Sequence, residues 1–205
     1  VGFGMDKPKK CDLWDYTARI TGDGRLSKTR RINAYLVDAP SVFLSNRREP
    51  ICKVSPMNKG SQPTDGGNLL MDDADKETLL AAEPQAAKWI RPFLGADEFI
   101  NNIPRWCLWL VDCPPNEMRS MPEVMKRVQA VKAMRQASTK SATITLSETP
   151  AIFGEIRQPV NGKYLLIPLH SSEMRSYVPI GFCEANTVCG NANSMIPNAT
   201  LFHFG

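Results

Sequence analysis

The sequence predicts an α+β fold, with a helical N-terminal half packed on a mostly antiparallel, β-rich C-terminal half. Three observations predict it. Apolar residues recur at helical spacing through residues 121–138, at Val124, Val128 and Val131 with Met121 and Met134. Arg105-Trp106-Cys107-Leu108-Trp109-Leu110-Val111 is a near-continuous apolar run of strand length, fit for a buried central position. From residue 151 onward the chain consists of short apolar stretches divided by glycine, proline and polar residues, the texture of short strands.

In chain order, residues 1–31 read as the end of a preceding domain and a linker. Val1-Gly2-Phe3-Gly4 could close a strand; Lys7, Lys9 and Lys10 follow, then a turn at Gly22-Asp23-Gly24 and a basic run at Arg25, Lys28, Arg30 and Arg31. This exposed stretch is either a phosphate-contacting linker or a solvated hinge. Ala34-Tyr35-Leu36-Val37 is extended or one helical turn. Ser41-Val42-Phe43-Leu44 and Pro50-Ile51-Cys52-Lys53-Val54 read as short strands, the proline placing the second at an edge. A long loop carries Asn58-Lys59-Gly60-Ser61 and Asp65-Gly66-Gly67-Asn68 but lacks the glycine–lysine spacing of a P-loop.

The helical part spans about 72–140. Asp72 is a candidate N-cap, with Asp73 and Asp75 in the first turn, where the helix dipole favours negative charge. Leu79 and Leu80 face inward. Pro84, after Glu83, can open a second helix whose apolar face is Ala86, Ala87, Trp89 and Ile90. Pro114-Pro115 ends the strand at 105–111. The helix at 121–138 bears Lys126, Arg127, Lys132 and Arg135 on its other face, with Arg119 and Lys140 flanking and Glu123 opposing. A solvated face and a phosphate-facing stripe explain this segregation equally. The β-rich part spans about 151–205. Ile152-Phe153-Gly154-Glu155-Ile156-Arg157 and Tyr164-Leu165-Leu166-Ile167-Pro168 form a hairpin about Gly162; Tyr177-Val178-Pro179-Ile180-Gly181-Phe182 and Thr200-Leu201-Phe202-His203-Phe204 are two more strands, with a polar loop at 184–194 between them.

Composition bounds the function. With 205 residues, 42% hydrophobic and 22% charged, the chain is globular rather than disordered. A net charge of +4 permits nucleic-acid binding without demanding it. No apolar run is long enough to span a bilayer, and no signal-peptide pattern is visible. The opening on Val1 suggests a piece of a longer polypeptide. Six cysteines without close-spaced pairs, alongside two histidines, argue against a zinc site and for reduced, buried thiols in a cytoplasmic protein. No catalytic constellation emerges. Gly-x-Ser-x-Gly is absent, and His170 and Ser171, neighbours on an extended chain, face opposite ways. Asp112-Cys113-Pro114-Pro115-Asn116 looks like the Asn/Asp-Pro-Pro-aromatic tetrad of amino-methyltransferases. However, Cys113 intervenes and Asn116 replaces the aromatic, so it reads as a strand terminator.

Several of these segments resemble one family. Ile32-Asn33-Ala34-Tyr35-Leu36-Val37, Ile90-Arg91-Pro92-Phe93-Leu94-Gly95, Arg105-Trp106-Cys107-Leu108-Trp109-Leu110, Phe153-Gly154-Glu155-Ile156-Arg157-Gln158-Pro159, Tyr177-Val178-Pro179-Ile180-Gly181-Phe182 and Ile196-Pro197-Asn198-Ala199-Thr200-Leu201 occur in this order in MmeI-like type II restriction–modification enzymes and related DNA adenine methyltransferases. The resemblance covers residues 32–205 and is to the target recognition domain that follows the methyltransferase domain. Ala34 stands where the family usually has proline.

The resemblance implies a domain that recognises double-stranded DNA sequence-specifically, positioning it for methyl transfer by the adjoining methyltransferase domain of the same chain, with no membrane involved. It implies no cofactor in this segment; S-adenosylmethionine, and Mg²⁺ if a nuclease domain is present, belong to the parent protein. A DNA reader needs cations and hydroxyls for phosphates and forked side chains for base edges. The candidates are Arg157, Gln158 and Lys163 around the first hairpin, Ser171, Ser172, Glu173 and Arg175 before the next strand, Asn186, Thr187, Asn191 and Asn193 in the polar loop, and Lys59 in the earlier loop. They are expected to converge on a strand scaffold as a cationic concave surface. The alternative is a non-catalytic protein-interaction or structural module whose basic helix packs on a partner.

Overall fold

The computed structural model describes residues 10–16, 22–41, 43, 45, 46, 53–172 and 174–204. The expectations for residues 1–4, Lys7, Lys9, most of the strand at 50–54 and Glu173 lie outside these residues. The chain divides into two units, Val1–Glu49 and Pro50–Gly205.

In the first unit the stretch expected as a connector contains an antiparallel hairpin, β1 (Cys11–Asp15) with β2 (Arg25–Thr29). Its register sets Asp12 opposite Lys28 and Asp15 opposite Arg25, so the basic run faces acids of its own hairpin. Residues 34–37 form a turn. Asn33 Oδ1 accepts from the Tyr35 and Val37 amides, and Leu36 sits at φ +57°. Ser41 and Phe43 are not in a strand.

The second unit holds two four-stranded sheets. One has the order β3 (Asn58–Lys59), β10 (Asn193–Pro197), β7 (Lys163–Pro168), β8 (Gly181–Glu184), all antiparallel. The other has the order β4 (Leu70–Met71), β6 (Trp106–Leu108), β5 (Ile90–Leu94), β9 (Val188–Cys189), with β5–β9 parallel. Helices α1 (Asp73–Ala82), α2 (Ala96–Asn101), α3 (Pro115–Arg119), α4 (Pro122–Gln136) and α5 (Ser141–Thr145) gather in the middle of the chain, and α6 (Leu201–Phe204) lies near its end. The architecture is α+β, with sheets dominating the C-terminal part, as the sequence predicts. No helix among the described residues is long and apolar enough to cross a membrane.

The strongest local signals hold. Asp72 caps α1, its carboxylate accepting from the Asp75 amide at 2.8 Å. Pro84 opens a 3₁₀ helix, Pro84–Trp89. β6 is central in its sheet, and Cys107, Leu108, Trp109 and Leu110 are buried. Helix α4 buries Val124, Val128 and Val131 in that core with Leu69, Phe93 and Phe153. Having no side-chain cap of its own, α4 borrows one. Glu83, 4% exposed, accepts from the Glu123 and Val124 amides at 2.6 and 3.2 Å. Trp106 ties α1 to β6, its indole donating to Asp73 at 2.7 Å beneath the Lys76 ammonium.

Three strand assignments and one helix assignment are corrected. Residues 152–157 form no strand. Glu155 makes an isolated bridge to Gln62, and Phe153 is a single apolar plug, edge-on to Phe93 and Trp109. Ile90 is not on a helix but opens β5. Residues 177–180 are irregular, and the strand there is displaced to 181–184. Residues 201–204 are helical, not extended. The polar loop supplies β9 and β10 instead, and β10 lies between β3 and β7. The Gly162 turn stands, at φ +77°. Of the double proline, Pro114 is the N-cap of α3 and Pro115 its first residue.

Candidate nucleic-acid interface

Two neighbouring hollows mark the surface where several predicted residues meet. Leu94, the last residue of β5, anchors both. Its carbonyl accepts from the Gly190 amide at 2.8 Å and from Asn193 Nδ2 at 2.7 Å, fixing the turn between β9 and β10. The Leu169 amide donates to the Ala192 carbonyl at 3.0 Å, so the segment leaving β7 runs alongside that turn. Close approach is built in. A side chain on Gly60 would collide with the Gly190 carbonyl, and one on Gly190 would strike the Phe93 ring.

The first hollow, about 410 Å³, is lined by Gln62, Gly66, Gly67 and Asn191 over Leu70 and Phe93. The second, about 520 Å³, is lined by α2 residues including Asp97, Glu98 and Asn101, and by His170, Ser171, Ser172 and Arg175. Gly95 and Ala192 line both. The second hollow is therefore of mixed charge, not the cationic surface expected. Its acids come from the first turn of α2, where the helix dipole favours them.

The predicted residues divide into three groups. Ser171, Ser172, Arg175 and Asn191 come together at the hollows. Arg175 has one weak tie, 3.5 Å to the Ile100 carbonyl, and Ser172 Oγ accepts from the Met174 amide at 3.2 Å. Lys59 sits near this end of the sheet, opposite Ser194. Arg157 donates to the Gly60 carbonyl at 3.1 Å and pairs with Glu155. A second group lies at the far end of β7, about 17 Å along the strand. There Lys163 pairs with Glu184 at 3.0 Å, and Asn186 and Thr187 follow β8.

The third group is internal, a correction to the expected set. Gln158, 8% exposed, donates to the Ala185 and Thr187 carbonyls and accepts from the Cys189 amide. Asn193 is fully buried, its Nδ2 spent on Leu94. Gln158 holds β9 in place with its amide fully used, while Asn193 joins β10 to Leu94 and keeps its Oδ1 buried and unpartnered among the described residues, shut away from a ligand outside.

The cationic stripe on α4 is also corrected. Arg135 is completely buried. Its guanidinium donates to the carbonyls of Pro63, Thr64, Leu146, Thr149 and Ile152 at 2.8–3.0 Å. Desolvation lowers its pKa, and nearby Asp65 partly offsets this. Arg127 donates to the Asn68 carbonyl and pairs with Asp75, and Lys126 pairs with Glu123. Lys132 alone of the four is exposed without such a tie among the described residues. Burial pushes the Cys107 and Cys189 thiols up to about 12, the mark of inert core cysteines. No group of three metal-ligating side chains occurs among the described residues.

Sequence reasoning missed the α2 wall and Gln62. The signal for Gln62 was its place beside a proline and one turn before paired glycines; α2 had an acidic first turn after Gly95 and nothing to mark it as a wall.

The chain is similar to known proteins. The chain is 31% identical over 207 residues to DNA methyltransferase A of Bacillus subtilis (strain 168), covering all of this chain and 22% of that protein. It is similar to the solved structure of the Type IIL restriction-modification enzyme MmeI in complex with DNA, with TM-score 0.79 and 39% identity over 98% of this chain and 27% of that one. The chain thus spans about a quarter or less of the relatives it matches. A model of the MmeI target recognition domain matches residues 38–205, and the chain belongs to that family.

Proposed function

We propose that this chain recognises a specific double-stranded DNA sequence within a larger DNA adenine methyltransferase or bifunctional restriction–modification enzyme. It holds the duplex in register for an adjoining methyltransferase domain, with residues 1–31 as the connection and 32–205 as the reader. The observation that carries this is the set of polar side chains left free or held by one weak tie beside the anchored β9–β10 turn: Ser171, Arg175 and Asn191. Forked and hydroxylated groups of this kind suit base edges and phosphates.

Arg175 and Ser171 form the main contact group, and Glu173 lies between them in the sequence. Lys59 and Ser172 hold phosphates near it, and Arg157 stabilises the Gly60 backbone while offering its exposed edge. Lys163, Asn186 and Thr187 engage the phosphate backbone further along. Gln158 keeps β9 in place and Asn193 ties β10 to Leu94, rather than touching DNA.

The methyl donor, and Mg²⁺ where a nuclease domain exists, are assigned to other domains, in a cytoplasmic protein.

A mobility-shift titration with duplex DNA tests this reading. Arg175→Ala should weaken binding. If Arg175 holds a phosphate, the salt dependence falls by about one unit of slope; if it reads a base, one site position relaxes by about 1–3 kcal/mol. Unchanged affinity, slope and site preference would contradict the assignment. Failure of duplex DNA to bind at all would favour a protein-interaction module.

A further inference from the structure

Gln62 and Asn191 are two polar groups that the architecture leaves unspent. They flank the parallel bridge between Ser61 and Gly190, each one residue beyond its member, so they stand side by side on paired backbones. Both line the 410 Å³ hollow. Neither side-chain amide has a hydrogen-bond partner among the described residues.

The backbone beneath Gln62 is held on every side. Its amide donates to the Glu155 carbonyl at 2.9 Å, and its carbonyl accepts from the Glu155 amide at 3.1 Å. The Ser61 amide donates to Cys189 at 2.7 Å, and Arg135 grips the Pro63 carbonyl at 3.0 Å. A fixed root spares the cost of ordering the backbone when the side chain meets a ligand, leaving only its own rotamers to be fixed. The rim is open as well. Gly67 has φ +85°, and a Cβ there would touch nothing within 4 Å, so its backbone lies bare to an approaching molecule.

Resting on the duplex-reading function proposed above, we infer that Gln62 is a base-reading residue. It takes an adenine edge in the major groove, with Asn191 engaging the same base step. A side-chain amide offers one donor and one acceptor in a fixed fork. Adenine presents the complementary N6 donor and N7 acceptor. Guanine shows two acceptors there, cytosine a donor only, and thymine an acceptor beside a methyl.

The test is selection from a randomised duplex pool by the wild-type chain, Gln62→Ala and Asn191→Ala. Wild type should select a site containing an invariant A·T pair. Gln62→Ala should lose roughly 5- to 150-fold in preference at that pair alone, and Asn191→Ala should relax the same step. Replacing the adenine by 7-deazaadenine should weaken wild type comparably and leave Gln62→Ala indifferent. Urea midpoints should match, because the Gln62 side chain supports nothing in the fold. If Gln62→Ala selects the wild-type site with undiminished stringency, or weakens equally on all sequences, the inference is overturned while the domain's reading function survives. If wild type selects no site, the function itself fails and this assignment with it.

Discussion

The same three residue types do opposite work in two regions of this unit. In the interior, Arg135, Gln158 and Asn193 are buried, and their side-chain nitrogens donate to backbone carbonyls. At the rim of the hollows, Arg175, Gln62 and Asn191 have backbones nearby that are anchored and heads that are free or nearly so. The first set makes the second possible. Arg135 joins residues 63 and 64 to 146, 149 and 152, and Gln158 joins 185 and 187 to 189, so both walls of the first hollow are tied down from below. Residue type therefore says little about role here; what decides it is whether the polar group's hydrogen-bonding capacity is already used.

Substitutions can break this comparison, beginning inside. Arg135→Met strands five carbonyls in the core and should cost about 3–5 kcal/mol, read as a lower urea midpoint. Gln158→Ala should cost about 2–4 kcal/mol in the same assay, leaving the Cys189 amide and the Ala185 carbonyl unpaired. Glu83→Gln, which weakens the borrowed cap of α4, should cost about 1–2 kcal/mol. At the exposed end of β7, Lys163→Ala removes only a solvated ion pair and should change stability by less than about 0.5 kcal/mol.

pH sharpens the contrast. Burial holds Cys107 and Cys189 protonated in the fold up to about 12, whereas an unfolded thiol ionises near 9.0. Between these values the unfolded chain binds fewer protons than the folded one, so stability falls as pH rises through that window. Urea midpoints measured from pH 8 to 11 should decline, and Cys107→Ala should decline less steeply.

Much of the helical part was legible, because its signals are local. Asp72, Pro84 and the valines of α4 each act within a turn or two of chain. The spacing even pointed at Arg135: 124, 128, 131 and 135 lie on one helix stripe, yet its charge argued for solvent. The strands were less legible because their partners are remote. Asn193-Ser194-Met195-Ile196-Pro197 has weak strand propensity and is a strand because β3 and β7 clasp it from both sides. Phe153 looked like part of a strand, but its burial is that of one ring among Phe93 and Trp109. Of the candidate site, Ser171, Arg175 and Asn191 were readable as polar residues near turns. Nothing local separated them from Gln158 and Asn193, because burial is a property of the fold.

The sharpest single measurement pairs Gln62→Ala with Gln158→Ala, following the urea midpoint and the duplex site selected from a randomised pool for each. The account predicts a crossover: Gln62→Ala keeps wild-type stability and loses discrimination at one A·T pair, while Gln158→Ala loses stability and, below its unfolding transition, selects the wild-type site. Two variants that shift stability alike, or a Gln158→Ala protein that remains stable but changes its preferred base pair, would contradict it.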